Sequence, residues 1–288
     1  MTPLEELAAS VLSRPAPAAV IAMAEHLRRD RNGVAAILGY GSCLRGVRAS
    51  ETLIDLYLLV ERNEEVSENP LARFGARLVP PNVYFAQHAW DGEMLRAKYA
   101  VMTLEAFARR MRREMSNPYF WARFSQPCVL LYAANETARR KTIAAVATAV
   151  ETMFAASIAA AAPGSDAIAV WREGFARTYG TELRPETGAR AQEIVAANAG
   201  FYREAARHLA KIPPLPLSWP RVSMMGKLLS LMRLAKAAFT FVGGADYAAF
   251  KIERHTGRKI AVSQWQRRHP LLAGLLMLPK LLFSRALR

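Results

Sequence analysis

The stretch ILGYGSCLRGVRASETLIDLYLLVE, residues 37–61, decides the fold, because a Gly-Ser turn separates two apolar runs typical of β-strands. Asp55 lies in the second run, thirteen residues after Ser42. Alternate residues of a strand share a face, so Asp55 and Tyr57 are expected on one face and their aliphatic neighbours on the other. A charge within an apolar run is costly unless it has a partner. Asp55 is therefore predicted to face the Gly-Ser turn.

Two interpretations of this stretch are open: a nucleotide-binding active site, or a hairpin with a small-residue turn. Nucleotidyl transfer needs backbone N–H groups around the triphosphate and carboxylates that fix Mg²⁺. Gly41 allows close approach of a phosphate, Ser42 adds a hydroxyl, and a helix starting there would add positive dipole. The usual pattern has a second acid two residues after the first, but Tyr57 stands there. A Gly-Ser turn followed by one Asp does not decide between the two.

The segment DGEMLRAKYAV, residues 91–101, adds two candidates. Asp-Gly is a hairpin signal, so Asp91 is predicted on a turn and Lys98 in the strand that follows. Asp91 could supply the missing metal ligand, and Lys98 could neutralise triphosphate charge. Asp-Gly turns and exposed strand lysines are also common without any such role, so that interpretation stays open.

The composition predicts a folded protein with a sizeable core, since 52% of the 288 residues are apolar. Two cysteines, Cys43 and Cys128, give neither a disulfide framework nor metal spacing, which favours a reducing compartment. The start MTPLEELAAS lacks the basic region of a signal peptide. The Ala-rich run 152–170 contains Pro163 and Gly164, which predicts a helix, a break and another helix rather than a membrane span.

The positive charge is concentrated at the C-terminal end. The net charge is +15, and residues 211–288 carry 14 Lys or Arg against two acids, a surplus of 12. Such a region attracts polyanions, either nucleic acid or an anionic membrane surface.

The predicted fold class is α+β, with three consecutive regions. Residues 1–115 form a domain with a small mixed sheet, 116–212 a helical domain, and 213–288 a basic amphipathic region; the Pro-rich segment KIPPLPLSWP, 211–220, joins the last two. The predicted strands are 34–40, 52–60, 82–87 and 94–103. Outside the sheet, helices are predicted near 4–30, 136–161, 166–179, 186–210 and 221–240.

Five short motifs, in this order, resemble one enzyme family: YGSCLRG, LIDLYLLV, VYF, DGEMLRAKYAVMT and QPCVLLYAAN. The family is that of the mitochondrial-type CDP-diacylglycerol synthases, the phosphatidate cytidylyltransferases of the translocator assembly and maintenance family, with their bacterial relatives. The resemblance covers residues 34–135 best. It implies a nucleotidyltransferase fold, a winged-helix-like helical domain and a C-terminal membrane-binding region. It also implies Mg²⁺-dependent transfer of CMP from CTP to phosphatidic acid in phospholipid biosynthesis, with release of pyrophosphate.

The resemblance implies roles for individual residues. Gly41 and Ser42 would contact the triphosphate, with Tyr40 and Tyr57 as further nucleotide-binding candidates. The candidate catalytic residues are Asp55, Asp91 and Lys98, and the two carboxylates among them are the candidate Mg²⁺ ligands. The chain departs from the family in two places: the turn reads Ser-Cys instead of Ser-Gly, and ENPLARF stands where the family has a His-Tyr-Ser stretch.

The basic C-terminal region favours lipid over nucleic acid as the partner. Its tail, 271–288, is apolar with a few basic residues, as in segments that lie on a membrane, whereas aromatics for base stacking are sparse. Arg and Lys clusters suit the phosphate monoester of phosphatidic acid. The candidate lipid-binding residues are Arg254, His255, Arg258, Lys259, Arg267 and Arg268. The alternative is a tail helix packed on the protein's own core or on a second subunit.

The expected protein is thus a peripheral membrane enzyme on the cytoplasmic face of the bacterial inner membrane. Two alternatives remain from the residues alone. One is a nucleotidyltransferase that acts on a soluble or macromolecular acceptor. The other is a degenerate nucleotidyltransferase that binds nucleotide or partners at a membrane without turnover.

Overall fold

A computed structural model describes residues 1–44, 53–115, 117–181, 188–240, 243–247, 249–250 and 262–268. The architecture is α+β, with a small mixed sheet and helices on both of its faces. The five described strands are β1 (Val34–Tyr40), β2 (Ile54–Val60), β3 (Asn82–Trp90), β4 (Glu93–Thr103) and β5 (Val129–Ala133).

Polar residues in the sequence mark the N-termini of several helices. Five of them begin after a Thr, Asn or Asp whose side-chain oxygen accepts a backbone N–H of the first turn, which satisfies one of the unpaired donors there. The described helices are α1 (Pro3–Leu12), α2 (Ala18–Arg29), α3 (Pro70–Leu78), α4 (Leu104–Arg110), α5 (Trp121–Phe124), α6 (Glu136–Ala160), α7 (Ala167–Tyr179), α8 (Gly188–Ala197), α9 (Ala199–His208) and α10 (Trp219–Thr240), with a short helix at Gln264–Arg268.

The sheet has the strand order β3-β4-β2-β1-β5. The β2–β4 pair is parallel and the other three pairs are antiparallel. Strands β3 and β4 form a hairpin whose two turn residues, Asp91 and Gly92, have φ of 49° and 75°. Two-residue hairpin turns of this kind have positive φ at both positions, and the Asp-Gly pair favours that conformation. The predicted hairpin turn is therefore confirmed.

Each face of the sheet supports a separate apolar core. On one face, Ile54, Leu56 and Leu58 of β2 pack with residues of α2 and α3. On the other, Tyr57 and Leu59 pack with residues of α1 and of α4 to α9. The predicted alternation along β2 is therefore confirmed. The sheet is the layer between the two cores, and the larger core joins it to most of the helices.

Helix α6 is the centre of the helical layer and packs against α1, α4, α5 and α7. Its crossing with α7 is close at Gly174, where an added Cβ would lie 1.8 Å from the Ser157 Oγ. Among the described residues, α6 alone is long and apolar enough to cross a membrane by length and composition, and 67% of its most apolar stretch is buried within the protein. A core helix passes the same test.

The structure differs from the sequence prediction in three places. Strand β5 pairs with β1, so the sheet extends past residue 115, the predicted end of the first domain. Helix α3 occupies a stretch that the sequence left without an assignment, where Asn69 caps it and Pro70 begins it. The single helix predicted over 186–210 is two helices, α8 and α9, which meet at Asn198. A five-residue strand and a nine-residue helix are too short for their periodicity to stand out.

Candidate active site

The Gly-Ser turn and Asp55 lie against each other at the ends of β1 and β2. Tyr40, the last residue of β1, is the register partner of Asp55. Gly41 follows with φ of +89°, and a Cβ at this glycine would lie 3.2 Å from Oδ2 of Asp55. A residue other than glycine would therefore strain the backbone and crowd the carboxylate. The sequence expectation that Asp55 faces this turn agrees with the structure.

Ser42 begins a single 3₁₀ turn, Ser42–Leu44, rather than a described α-helix. The turn is closed by the backbone N–H of Leu44, which donates to the carbonyl of Gly41 at 3.4 Å, and the Cys43 thiol donates to the carbonyl of Tyr40 at 3.3 Å. The Ser42 side chain is partly exposed. Residues 45–52, where the predicted phosphate-binding helix would continue, lie outside the described residues.

Lys98 is the register partner of Asp55 on the parallel strand β4. Paired residues of neighbouring strands are about 5 Å apart and point to the same face. Tyr40, Asp55 and Lys98 therefore form one row across the sheet, with both charged side chains half-buried. The structure thus brings Lys98 beside Asp55.

Asp91 does not join this row. It is exposed at the tip of the β3–β4 hairpin, seven residues before Lys98. At about 3.4 Å per strand residue, it lies about 20 Å from the row of Lys98 and Asp55. Two carboxylates that share one Mg²⁺ must approach within about 5 Å of each other. The structure therefore separates Asp91 from Asp55 and does not support the expected pairing of the two around one metal ion.

Tyr57 lies beneath the site and not in it. Its side chain is 1% exposed and packs edge-on against Phe124 at 4.9 Å between ring centroids. Burial, together with the neighbouring Tyr119, raises the pKa of its phenol. Tyr57 does not line the neighbouring cavity. The position at which the usual nucleotide-transfer pattern has a second acid is therefore a core position in this chain.

A cavity of about 400 Å³ opens beside the Gly-Ser turn, between the sheet and the helices. This volume is within the usual range of small-molecule sites. Its polar lining comes from distant parts of the chain and includes Asp55, Asn117, Tyr119 and Tyr179. Four arginines also line the cavity: Arg14, Arg123, Arg190 and Arg233. One carboxylate against four guanidinium groups makes the cavity suited to an anionic ligand.

Two of the arginines stack on the aromatic residues next to Asp55. The Arg123 guanidinium lies 5.3 Å from the ring centroid of Tyr40 and 5.2 Å from that of Tyr119. Arg233, from α10, lies 3.8 Å from the Tyr119 centroid, and its Nε donates to the Pro80 carbonyl at 3.3 Å. Both charges are thus fixed in position, because a planar guanidinium on an aromatic face has a defined orientation.

The positive charge of the cavity affects the pKa values of two neighbouring tyrosines. Burial opposes ionisation of Tyr119, but the positive charges of Arg123, Arg233 and Lys98 outweigh it and hold the pKa of that phenol below its ordinary value. Burial, assisted by the negative charge of Asp55, raises the pKa of Tyr40. The positive potential of the cavity is therefore strong enough to act on a neighbouring acid.

Thiol chemistry is disfavoured in this cavity. Cys128 lines the wall, and burial raises the pKa of its thiol to about 12. A thiol with that pKa stays protonated at neutral pH and is a poor nucleophile or metal ligand.

The donor set at the Gly-Ser turn fits one Mg²⁺ that arrives with a nucleotide. Asp55 is the only carboxylate among the described residues that line the cavity, and Ser42 adds a hydroxyl. Within the described ranges, no group of three or more His, Cys, Asp or Glu side chains lies together. Protein sites for Mg²⁺ commonly supply one or two carboxylates and leave the other positions to phosphates and water.

Sequence reasoning missed the arginine and amide groups of this cavity. The segment NPYFWARF, 117–124, buries Phe120, Trp121 and Phe124 in the core, as the helical spacing of its aromatic residues indicates. The same segment also presents Asn117, whose Nδ2 has no hydrogen-bond partner among the described residues, and Arg123 to the cavity. Helical spacing of aromatics indicates a buried face, but it does not indicate what the other face lines.

The predicted lipid-binding residues lie largely outside the described part of the chain. Arg254, His255, Arg258, Lys259 and the tail 271–288 are not described. Arg267 and Arg268 end the short helix Gln264–Arg268, and only their backbone is described.

No family model matches the chain, and no curated protein matches it either.

Proposed function

We propose that the protein is a magnesium-dependent nucleotidyltransferase that transfers CMP from CTP to phosphatidic acid, giving CDP-diacylglycerol and pyrophosphate. The type of reaction rests on one observation: Gly41, in a left-handed conformation, leaves room beside the Asp55 carboxylate that a Cβ would crowd at 3.2 Å from Oδ2, next to an arginine-lined cavity. The choice of CTP as nucleotide and phosphatidic acid as acceptor rests on the resemblance of the five motifs to the cytidylyltransferase family. In this proposal the sheet is of the nucleotidyltransferase type and the following helices are winged-helix-like.

The Gly-Ser turn would hold the triphosphate. Without a Cβ at Gly41, a phosphate can approach the backbone N–H groups of the turn, and the Ser42 hydroxyl adds a donor. Asp55 would hold Mg²⁺, which when bound neutralises phosphate charge. The Lys98 ammonium, in the same row, would add a second positive group near the phosphates.

The arginines would balance the negative charge that collects in the cavity. A phosphate monoester has a second pKa near 6, so most of it is dianionic at neutral pH. One of its oxygens can attack the α-phosphorus directly, so a general base to activate the acceptor is unnecessary. A new P–O bond then forms, the bond to the β-phosphate oxygen breaks, and pyrophosphate leaves with that electron pair. Arg123 and Arg233, which line the cavity, would hold the acceptor and the leaving group together.

The absence of a second acid two residues after Asp55 is compatible with this chemistry. A hydroxyl acceptor needs deprotonation, whereas a phosphate acceptor is already ionised. The buried Tyr57 can therefore serve packing instead of catalysis. The proposed location is the cytoplasmic face of a bacterial inner membrane, where phosphatidic acid is available.

The test is a transfer assay with purified protein, labelled CTP, Mg²⁺ and vesicles that contain phosphatidic acid. Asp55→Asn is expected to lower turnover by about 10²-fold or more, because a neutral amide holds the metal ion weakly. Asp91→Asn is the matched control and is expected to keep turnover within about twofold, as for an exposed site remote from the chemistry.

Three results would contradict the proposal. The first is label in no lipid product. The second is retained turnover in Asp55→Asn with an unchanged circular dichroism spectrum. The third is a large loss in Asp91→Asn, which would restore the metal pair expected from the sequence. Assays with ATP, GTP and UTP, and with soluble acceptors in place of the vesicles, test the nucleotide and acceptor separately.

A further inference from the structure

Helix α3 exposes an apolar stripe on one side. Leu71, Phe74 and Leu78 follow the spacing of one helix face and are 60% to 71% exposed. The opposite side of the helix is buried through Ala72 and Ala76. A single exposed leucine is ordinary, but three large apolar side chains in a row on a nine-residue helix are not.

The two sides of helix α10 have different surroundings. One side contributes Gly226, Ser230 and Arg233 to the cavity. The other side carries large apolar residues that are 44% to 67% exposed. They are Met224, Met225, Leu228, Leu231, Met232 and Leu234.

The two helices are in contact. The aliphatic chain of Lys236 covers Gly75 of α3, with Cδ 3.1 Å from the position of an added Cβ. The Lys236 ammonium donates to the carbonyls of Val79 and Pro81, just past the end of α3. These bonds hold a cation at the negative end of the helix dipole. The exposed apolar residues of α3 and α10 therefore belong to one surface, which we call the α3–α10 face.

The α3–α10 face is also positively charged. The two helices contain six basic residues and no acidic one. Arg77, Arg221 and Lys227 are exposed on them. Aliphatic and Met side chains among cations complement an anionic bilayer, where apolar groups enter the headgroup region and cations meet lipid phosphates. Nucleic acid would call for aromatic side chains, and Phe74 is the one aromatic among the exposed apolar side chains that the structure describes on this face.

We propose that the α3–α10 face docks the protein on an anionic lipid bilayer. The docking stands on exposure and charge and does not depend on any catalytic activity. One consequence rests on the proposed function. Because α10 also lines the cavity, docking by this face puts the cavity next to the bilayer. An acceptor lipid could then place its headgroup in the cavity while its acyl chains stay in the membrane.

The test measures binding of the full chain to vesicles of phosphatidylcholine with phosphatidylglycerol, without CTP or Mg²⁺. Neutral phosphatidylcholine vesicles are the reference. Two double variants, Leu71→Glu/Phe74→Glu and Leu228→Glu/Leu231→Glu, are each expected to lower the partition coefficient about tenfold or more. The control is Ile21→Glu, which adds one negative charge at a 49% exposed residue of α2. It is compared with the single variants Leu71→Glu and Leu228→Glu and is expected to stay within about twofold of wild type.

The proposal is overturned if the wild-type chain does not prefer anionic vesicles. Undiminished binding of both double variants overturns it as well, since docking would then occur elsewhere, for example through residues 271–288. If the double variants change the oligomeric state on gel filtration but not vesicle binding, the face is a subunit interface. That result also contradicts the docking proposal.

A second readout separates the two proposals. With a water-soluble, short-chain phosphatidic acid, the double variants are expected to keep wild-type CMP transfer while they lose transfer to vesicle-bound acceptor. If no form of the protein transfers CMP but the binding differences persist, the proposed function fails and the docking surface stands.

Discussion

Gly41→Ala tests the contact on which the candidate active site depends. The backbone at Gly41 has φ of +89°, and an alanine there is expected to cost about 1–2 kcal/mol of folding free energy. The new Cβ would also lie 3.2 Å from Oδ2 of Asp55, which is closer than an ordinary contact. The carboxylate must therefore shift by a few tenths of an ångström. A displacement of about 1 Å in an active site can lower the rate about 10²-fold, so a loss of about tenfold is expected here.

Gly92→Ala is the matched control. Gly92 has φ of +75°, but an added Cβ would meet nothing within 4 Å. The two variants share the backbone strain and differ in the contact with Asp55. Both are expected to lower the melting temperature by about 2–8 °C. Only Gly41→Ala is expected to lower kcat for pyrophosphate release and to weaken the response to Mg²⁺.

The measurements are thermal unfolding by circular dichroism and initial rates at saturating CTP and Mg²⁺. A wild-type kcat in Gly41→Ala would refute the assignment, because the Asp55 carboxylate could then move without consequence. An equal loss of kcat in Gly41→Ala and Gly92→Ala would attribute the effect to general destabilisation. In either case the turn would have no specific connection with turnover.

The remaining predictions concern α7, α10 and the cavity. Gly174→Ala is expected to destabilise the protein by about 1–3 kcal/mol through overpacking against α6, whereas Gly200→Ala, with open space around it, is expected to be neutral or stabilising in urea unfolding; equal effects would contradict the packing. Arg233→Lys keeps the charge but loses the stacking on Tyr119, so we expect KM for CTP or for the acceptor to rise several-fold; an unchanged KM for both would contradict its role. Burial and the charge of Arg233 lower the pKa of Lys236 to about 8, below its unfolded value, so the unfolded chain binds more protons between about pH 8 and 10.5. Stability relative to Lys236→Met is therefore expected to rise through that window in melts at fixed ionic strength, and a flat difference would contradict the shift.

Much of the sheet was predictable from local pattern. The alternation of Asp55 and Tyr57 with aliphatic residues predicted which side of β2 faces which core, and the structure agrees. The Asp-Gly pair predicted the β3–β4 hairpin, because only a few residue pairs adopt positive φ at both turn positions without strain. The alternation of apolar and polar residues and the residue types of a turn depend only on residues that are close in the sequence. Both can therefore be deduced from the sequence.

The candidate site was predictable only in part. Gly41 directly follows β1 and Asp55 lies in β2, the next strand in the chain and the antiparallel neighbour of β1, so their meeting follows from short-range connectivity. Asp91 has a carboxylate that could bind Mg²⁺, but it lies at the end of the hairpin away from Asp55. The order of motifs along the sequence does not give that distance. Lys98 lies beside Asp55 because β2 and β4 pair in parallel with that register, and the sequence alone did not predict this pairing.

The sequence by itself determined four of the five described strands, the turn, the surplus of positive charge and the single acid of β2. Only the tertiary structure decided that Arg123 and Arg233, 110 residues apart, stack on the same tyrosine, and that α3 and α10 combine their apolar stripes. The physical reason is the range of the interactions. Propensity and periodicity act over a few residues, whereas a cavity or a surface is composed by packing between segments that the chain order keeps far apart.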